Sequence, residues 1–227
     1  AAGIPLDSVV LRPPVPAPTQ LLCAVKNYAD DRQAVAADFF LKSSLSIIGA
    51  GGTIMLPPVS ASVFHPEPEL AVVIGRTGHN VDKRDALEHV FGYTGFIDAS
   101  ARDIGPTFYL RKSYATFGPM GPVLVTKDEF GDPYAKNVKL AINGQVQQNF
   151  STKSMANRID SLVELASSVG GITVGDVIAT GTHHIGLTAI QDGDSVALEI
   201  EGIGSLHVSV SDPMKRTWPA PASGSGT

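Results

Sequence analysis

Short apolar runs separated by glycine, proline and polar turns dominate the pattern of this 227-residue chain. Runs of this length, rich in β-branched residues and bounded by turn residues, predict β-strands. Strands are predicted at residues 21–25, 53–56, 70–74, 92–97, 122–126, 138–142, 176–180, 195–201 and 206–210. The dipeptide Asn143-Gly144 is a strong hairpin signal, and it predicts a return strand from Gln145 onward.

Helical spacing is confined to two segments. Residues 154–169 are the stronger of the two, because four apolar side chains share one stripe: Ile159, Leu162, Val163 and Ala166. Residues 82–89 predict a shorter helix with Asp82 as its N-cap. Many strands and few helices predict an α+β fold class that is rich in β-structure.

The composition indicates one domain without an internal boundary. Five prolines in residues 4–20 predict an extended N-terminal arm over 1–20, followed by a single domain over 21–219. The segment 26–38 is polar and predicts a mobile loop or short helix. Residues 220–227 read as a flexible tail or a cloning remnant.

Charge and cysteine content limit the possible partners. The net charge is −5 and no basic run is present, which argues against a nucleic-acid partner. No apolar run approaches the roughly 20 residues that span a bilayer, so no membrane association is expected. The single cysteine, Cys23, excludes an internal disulfide and suits a reducing compartment, so a cytoplasmic location is expected. No motif marks Cys23 as a nucleophile, and a buried apolar role is expected for it.

Two glutamates stand at the entrance to the apolar run 70–74. Because side chains alternate faces along a strand, Glu67 and Glu69 point the same way. Two like charges entering a core repel each other and lose hydration, and a divalent cation would remove both costs. Hard carboxylate oxygens suit Mg²⁺, Mn²⁺ or Ca²⁺. The pair alone favours the alternative, a solvated strand end whose charges pair with lysine or arginine.

Three further residues could complete a site. Asp98 ends an apolar stretch and could be a third carboxylate ligand, or a turn or capping aspartate. Lys112 lies among apolar and aromatic neighbours, where an ammonium could stabilise an enolate; otherwise it is a surface lysine on an edge strand. Arg102 could grip a substrate carboxylate, or form a structural ion pair with Asp103.

A Gly/Thr turn follows the predicted strand at 176–180. Backbone N–H groups there and the Thr182 hydroxyl could bind an anionic oxygen. His183 and His184 are adjacent, so they face opposite ways on an extended chain and joint zinc ligation is not expected. The chain has no motif of the serine-hydrolase, zinc-protease, P-loop or dinucleotide-binding type.

These segments together resemble the fumarylacetoacetate hydrolase superfamily, in order, over roughly residues 20–212. The resemblance is carried by FLKS from Phe40, EPELAVVIG from Glu67, GYT from Gly92, DASARD from Asp98, KS from Lys112, GPMGP from Gly118, GDVIATGT from Gly175 and EIEGIG from Glu199. Each segment is weak alone, and their common order is what makes the resemblance specific.

The resemblance implies a mixed β-roll catalytic domain and a homodimer. It implies a metal, commonly Mg²⁺, on Glu67, Glu69 and Asp98, an active-site lysine at Lys112 and a substrate contact at Thr182. Substrates of the family are mostly β-diketo or 2-oxo acids. The metal chelates the 2-oxo acid end and stabilises an enolate as a C–C bond breaks.

The chain departs from the family pattern where water is activated. Hydrolytic members carry Asn-Tyr-x-x-His with a Glu three residues later, whereas Asp31 and Ala34 occupy these positions here. Asp31 is the candidate base, and Tyr28 in the same segment is a candidate substrate contact. Gly105 replaces a common glutamine, and the connection from 103 to 112 is short, which would reshape the pocket wall.

Metal-dependent hydrolysis of a C–C bond in an acylpyruvate-like acid is the leading functional prediction. The alternative is decarboxylation or keto–enol isomerisation of a 2-oxo acid on the same site, because the hydrolytic pair is not matched. A non-catalytic binding protein is a third possibility. The intact carboxylates and Lys112 argue against it, since a retired site has no physical need for clustered carboxylates.

Overall fold

Two β-sheets account for most of the regular structure in the computed structural model, which describes residues 3–5, 8–28 and 36–219. The strands are β1 (Leu21–Ala24), β2 (Phe39–Leu41), β3 (Ile47–Ile48), β4 (Thr53–Met55), β5 (Phe64–Ile74), β6 (Val90–Ala101), β7 (Gly118–Thr126), β8 (Asn137–Ile142), β9 (Gln145–Ser151), β10 (Val177–Ala179), β11 (Ser195–Ile200) and β12 (Gly204–Ser211). The helices are α1 (Phe108–Lys112), α2 (Lys127–Phe130) and α3 (Ile159–Val169). The predicted α+β, β-rich fold class is confirmed.

The two sheets divide the strands into a larger and a smaller group. The seven-stranded sheet has the order β2-β1-β10-β5-β6-β7-β3, and the five-stranded sheet has the order β4-β12-β11-β8-β9. Most pairs are antiparallel, while β1–β10, β3–β7 and β4–β12 are parallel, so both sheets are mixed. The main apolar core takes side chains from both sheets and from α3, including Leu70, Leu140, Leu162 and Leu206.

The central strand β5 begins earlier than the apolar run predicts. The prediction places a strand at 70–74, but β5 runs from Phe64 and includes Pro66 and Pro68. Even-numbered residues of β5 hydrogen bond toward β10: the Ile74 N–H donates to the Asp176 carbonyl, and the Leu70 carbonyl accepts from Thr180. Pro66 and Pro68 are also even-numbered, so their backbone nitrogens face the side of β5 on which β10 lies and not the side of β6. Because β10 ends before it reaches these two prolines, their missing N–H groups cost no hydrogen bond in the sheet.

One helix prediction is correct and one is wrong. Helix α3 confirms the apolar stripe, although it begins at Ile159 and is preceded by the 3₁₀ turn Thr152–Ser154. Residues 82–89 do not form a helix; only a 3₁₀ turn, Ala86–His89, is present. The His89 carbonyl accepts hydrogen bonds from Gly75 and Arg76, and β6 begins at the next residue, so sheet pairing ends the helical turn.

The structure describes only part of the segments predicted to flank the domain. The predicted tail at 220–227 lies outside the described residues, as do parts of the predicted arm and loop. No helix among the described residues is long and apolar enough to cross a membrane.

Candidate active site

Three buried carboxylates converge where β5 pairs with β6. The antiparallel register sets Glu67 directly opposite Asp98, and Glu69 follows on the same face of β5. Ligand oxygens of the three residues lie within 4.8 Å of one another, and the residues are 3%, 2% and 1% exposed, respectively. The three predicted metal ligands therefore form one compact cluster, although nothing in their strand sequences fixes the register that joins them.

Two predicted cationic residues reach this cluster. Lys112 is the last residue of α1, not part of an edge strand, and its ammonium donates to Glu67 Oε2 and Asp98 Oδ2. The Arg102 guanidinium donates to Glu67 Oε1 through Nη2, and its Nε donates to His65 Nδ1 at 3.1 Å. The Asp103 alternative is not realised, because the Asp103 carboxylate accepts from Ser62.

A third cation, Lys42, has no predicted role. Its side chain is 0% exposed, and Nζ donates to Asp98 Oδ1 at 2.7 Å. It also donates to the Ala99 carbonyl at 3.3 Å and to the Lys112 carbonyl. Lys42 thereby joins the end of β2 to β6 and to the C-terminus of α1. The only sequence signal is a lysine directly after an apolar run, which does not reveal a partner 56 residues away.

The three carboxylates differ in their partners: Glu67 and Asp98 form ion pairs with side-chain cations, whereas Glu69 does not within the described residues. Burial by itself would raise the pKa of Glu67, but the Lys112 ammonium and the Arg102 guanidinium outweigh it and lower that pKa to about 2. Burial and the neighbouring Asp98 instead raise the pKa of Glu69 well above its ordinary value. Burial would lower the pKa of Lys112, but Asp98 and the two glutamates raise it, so the ammonium stays protonated.

Glu69 differs from Glu67 and Asp98, because its hydrogen-bond partner is a backbone N–H and not a side-chain cation. It accepts a hydrogen bond from the Gly181 N–H at 2.7 Å, and the described residues show no ion pair to it. A buried carboxylate without a cation is costly, and a divalent ion shared with Glu67 and Asp98 would remove that cost. Three carboxylates are a hard oxygen donor set, so the residues present fit Mg²⁺, Mn²⁺ or Ca²⁺.

Two members of the cluster, Glu67 and Glu69, line a cavity of about 310 Å³. Lining residues come from β1, from the Gly/Thr turn after β10 and from α1; they include Ala24, Val25, Lys26, Phe40, Glu67, Glu69, Arg102, Phe108, Arg111, Lys112, Gly181, Thr182 and His184. The predicted substrate contacts Arg102 and Thr182 are thus brought to the same cavity as the glutamates. Cys23 is fully buried as expected, and burial raises the pKa of its thiol.

The other candidate residues are placed less directly. Tyr28 is 5% exposed and packs edge-on against Phe150, with ring centroids 5.0 Å apart, but is not among the residues lining the cavity. Asp31 lies outside the described residues. His184 lines the cavity, whereas the His183 ring lies 5.8 Å from that of Phe150, so the two imidazoles separate as expected for neighbours on an extended chain.

Comparison with protein-family models gives a match that covers most of the chain. Residues 20–211 match the model described as "Fumarylacetoacetate (FAA) hydrolase C-terminal". The chain belongs to the fumarylacetoacetate hydrolase family. The match spans both sheets and all three carboxylates, so the resemblance drawn from the sequence is confirmed.

Relatives within the fumarylacetoacetate hydrolase family carry several enzyme names. The oxaloacetate tautomerase YisK of Bacillus subtilis is 35% identical over 219 residues, covering 88% of this chain and 73% of YisK. The solved 5-carboxymethyl-2-hydroxymuconate delta-isomerase from Mycobacterium smegmatis is 38% identical, with a TM-score of 0.86 over 92% of this chain and 82% of that one.

A third relative was solved with ligands in place. The maleylpyruvate hydrolase from Sphingobium sp. SYK-6, in complex with manganese(II) ion and pyruvate, is 35% identical. Its TM-score is 0.85, and the match covers 92% of this chain and 76% of that one. The family therefore includes hydrolases, isomerases and tautomerases, and membership alone does not select among these reactions.

Proposed function

We propose that this protein is a metal-dependent keto–enol tautomerase of a small 2-oxo acid. The observation that carries the proposal is the position of the Lys112 side chain, which donates to Glu67 and Asp98 within a group of three buried carboxylates beside a small cavity. The missing hydrolytic pair, with Asp31 and Ala34 in place of His and Glu, supports tautomerisation over hydrolysis. Resemblance to oxaloacetate tautomerases, including YisK at 35% identity, supports the same choice.

Glu67, Glu69 and Asp98 would hold the metal ion in this proposal, and Mg²⁺ or Mn²⁺ suits their carboxylates. A divalent cation at these residues would supply Lewis-acid polarisation of the substrate's 2-oxo group. Arg102 fixes Glu67 from the cavity side through its Nη2, which limits the rotamers of that ligand.

Lys112 and the Gly/Thr turn would act on the substrate directly. Lys112 is cationic and almost fully buried, so it can stabilise negative charge on an enolate oxygen in a poorly solvated site. Thr182 lines the same cavity and offers a hydroxyl to a carboxylate or 2-oxo oxygen.

The reaction needs only a proton transfer. One proton moves from the carbon next to the 2-oxo group to the carbonyl oxygen, or back, and no water or leaving group takes part. His184 lines the cavity, and an imidazole is a suitable group to take up that proton near neutral pH. The position of Asp31 in the sequence makes it the second candidate for this role.

A C–C bond hydrolase is the second candidate function. It is favoured by the 35% identity and 0.85 TM-score shared with the maleylpyruvate hydrolase that binds manganese(II) and pyruvate. Hydrolysis would require Asp31 or His184 to activate water in place of the missing histidine.

One assay separates the candidate functions. The Mn²⁺-loaded protein is given the enol form of oxaloacetate, the decay of enol absorbance is followed, and CO₂ and pyruvate are measured in parallel. A rate above that of Mn²⁺ alone, without CO₂, supports tautomerisation. CO₂ release indicates a decarboxylase, and release of pyruvate and an acid from an acylpyruvate or maleylpyruvate indicates a hydrolase. The variant Glu69→Gln serves as the control, because it should lose Mn²⁺ binding and all metal-dependent turnover together.

A further inference from the structure

Arg111 presents a guanidinium to the cavity without a carboxylate partner. It is the residue before Lys112 in α1, it is half-buried, and it lines the same cavity as Glu67 and Glu69. Its Nε donates to the Gly105 carbonyl at 2.7 Å, which fixes the orientation of the side chain. Among the described residues no acidic side chain pairs with it. Its two terminal nitrogens are therefore left for a ligand.

The other cations of the cavity wall differ from Arg111 in this respect. Arg102 is committed to Glu67 and His65, and Lys112 to Glu67 and Asp98. Lys26 is exposed on a flexible stem, so water satisfies its ammonium. Arg111 alone among these cations is both held in place and unpaired within the described part of the chain.

The loop before α1 explains why Arg111 lies at this cavity. Gly105 has φ = +138°, a conformation that favours glycine, and a Cβ there would lie 3.0 Å from Leu110 Cδ1. Thr107 caps α1 by accepting from the Leu110 N–H at 3.4 Å, so the helix starts almost immediately after the turn. The short connection, with glycine in place of the glutamine common in the family, turns the Gly105 carbonyl toward Arg111.

We infer that Arg111 binds a second carboxylate of the substrate, which makes the substrate class a short-chain 2-oxo dicarboxylic acid. This inference rests on the proposed function, because it takes the 2-oxo acid end to lie at the carboxylate cluster. A guanidinium binds a carboxylate through two parallel hydrogen bonds. A substrate ending in an alkyl group would instead cover part of the guanidinium without replacing its hydration. The cavity volume of about 310 Å³ is at the small end for ligand sites and suits a short acid.

Calorimetric binding to the Mn²⁺-loaded protein tests the inference with two five-carbon probes. 2-Oxoglutarate and 2-oxopentanoate share the 2-oxo acid end, and only the first has a terminal carboxylate. We expect the wild-type protein to bind 2-oxoglutarate at least about tenfold more tightly, since charged hydrogen bonds contribute this much or more. The substitution Arg111→Met should remove this preference by weakening 2-oxoglutarate alone, and Arg111→Lys should keep part of it.

Two further variants serve as comparisons. Arg84→Met removes an arginine whose side chain is 79% exposed and which does not line the cavity, and it should leave both affinities unchanged. Lys26→Met should also keep the preference. If Lys26→Met abolishes the preference and Arg111→Met does not, the inference is overturned.

The outcomes separate this inference from the proposed function. If the wild-type protein turns over 2-oxo acids but binds the two probes equally, the role of Arg111 is overturned and the tautomerase proposal stands. A protein that binds neither probe and turns over no 2-oxo acid overturns both. With oxaloacetate as substrate, Arg111→Met should raise KM at least about tenfold with a smaller effect on kcat, because the contact acts on substrate and transition state alike.

Discussion

Replacing Lys42 by methionine tests whether the buried charges hold the site together. Methionine preserves most of the side-chain volume and removes the ammonium, so Asp98 Oδ1 loses a partner at 2.7 Å. The Ala99 and Lys112 carbonyls lose the same donor. The contacts join β2, β6 and α1, and the side chain is 0% exposed, so water cannot replace the lost ammonium without opening the structure.

The expected cost is large for one side chain. Removing one partner of a buried ion pair typically destabilises a protein by about 3–5 kcal/mol. Lys112 still donates to Asp98 Oδ2 in this variant, which reduces the cost at the carboxylate, whereas the Ala99 and Lys112 carbonyls lose their buried donor and add to it. For a chain of this size each kcal/mol lowers Tm by about 2–4 °C, so the melting temperature should fall by about 6–20 °C. A divalent cation would place positive charge beside Asp98 again. Mn²⁺ should therefore raise the Tm of Lys42→Met by more than it raises that of the wild-type protein.

Thermal unfolding followed by circular dichroism, with and without saturating Mn²⁺, measures both effects. Lys153→Met is the matched control, because Lys153 is exposed and no contact of its ammonium is found in the described part of the chain. That variant should stay within about 0.5 kcal/mol of the wild type. The reasoning is refuted if Lys42→Met melts as close to the wild type as Lys153→Met does.

Three further variants probe the remaining groups. Lys112→Ala should lower turnover strongly, and any loss of Tm should shrink once Mn²⁺ is bound; a loss that Mn²⁺ does not reduce would mark the lysine as structural. His184→Gln should lower kcat of tautomerisation, and an unchanged kcat would exclude it as the proton acceptor. Hydrogen bonds from Arg216 lower the pKa of Asp212, so that carboxylate stabilises the fold above its ordinary pKa and loses this effect as the pH falls through the lowered value. Asp212→Asn should be less stable than wild type in urea at neutral pH, and the difference should narrow below about pH 4; a constant difference would contradict the assignment.

Alternation along a strand was enough to predict that Glu67 and Glu69 share a face. It could not predict that Asp98 lies opposite Glu67, because the register between β5 and β6 depends on pairing over eleven positions and not on either strand alone. The start of β5 could not be predicted either, because two prolines normally argue against a central strand. They are tolerated here because β10 ends before it pairs with them, and the sequence does not show where β10 ends.

The cations of the site were harder to predict than the carboxylates. Lys42 and Arg111 come from a strand end and a five-residue helix, and long side chains can reach partners that local patterns do not indicate. The helix predicted at 82–89 failed for a related reason: sheet pairing of His89 competes with helical hydrogen bonds, and the competitor is remote in sequence.

The carboxylates and the cations Arg111 and Lys112 are positioned by different parts of the fold. The carboxylates stand on two paired strands, where the backbone ladder fixes their spacing, and this arrangement suits a metal site that tolerates little displacement. Arg111 and Lys112 lie on one short helix that follows a glycine turn, so a change in the loop at 103–107 would move these two proposed substrate contacts while leaving the carboxylates in place. If Arg111 selects the substrate as we infer, relatives with the same three carboxylates but a different loop should act on different 2-oxo acids. The reaction and the substrate preference would then be governed by separate parts of one cavity.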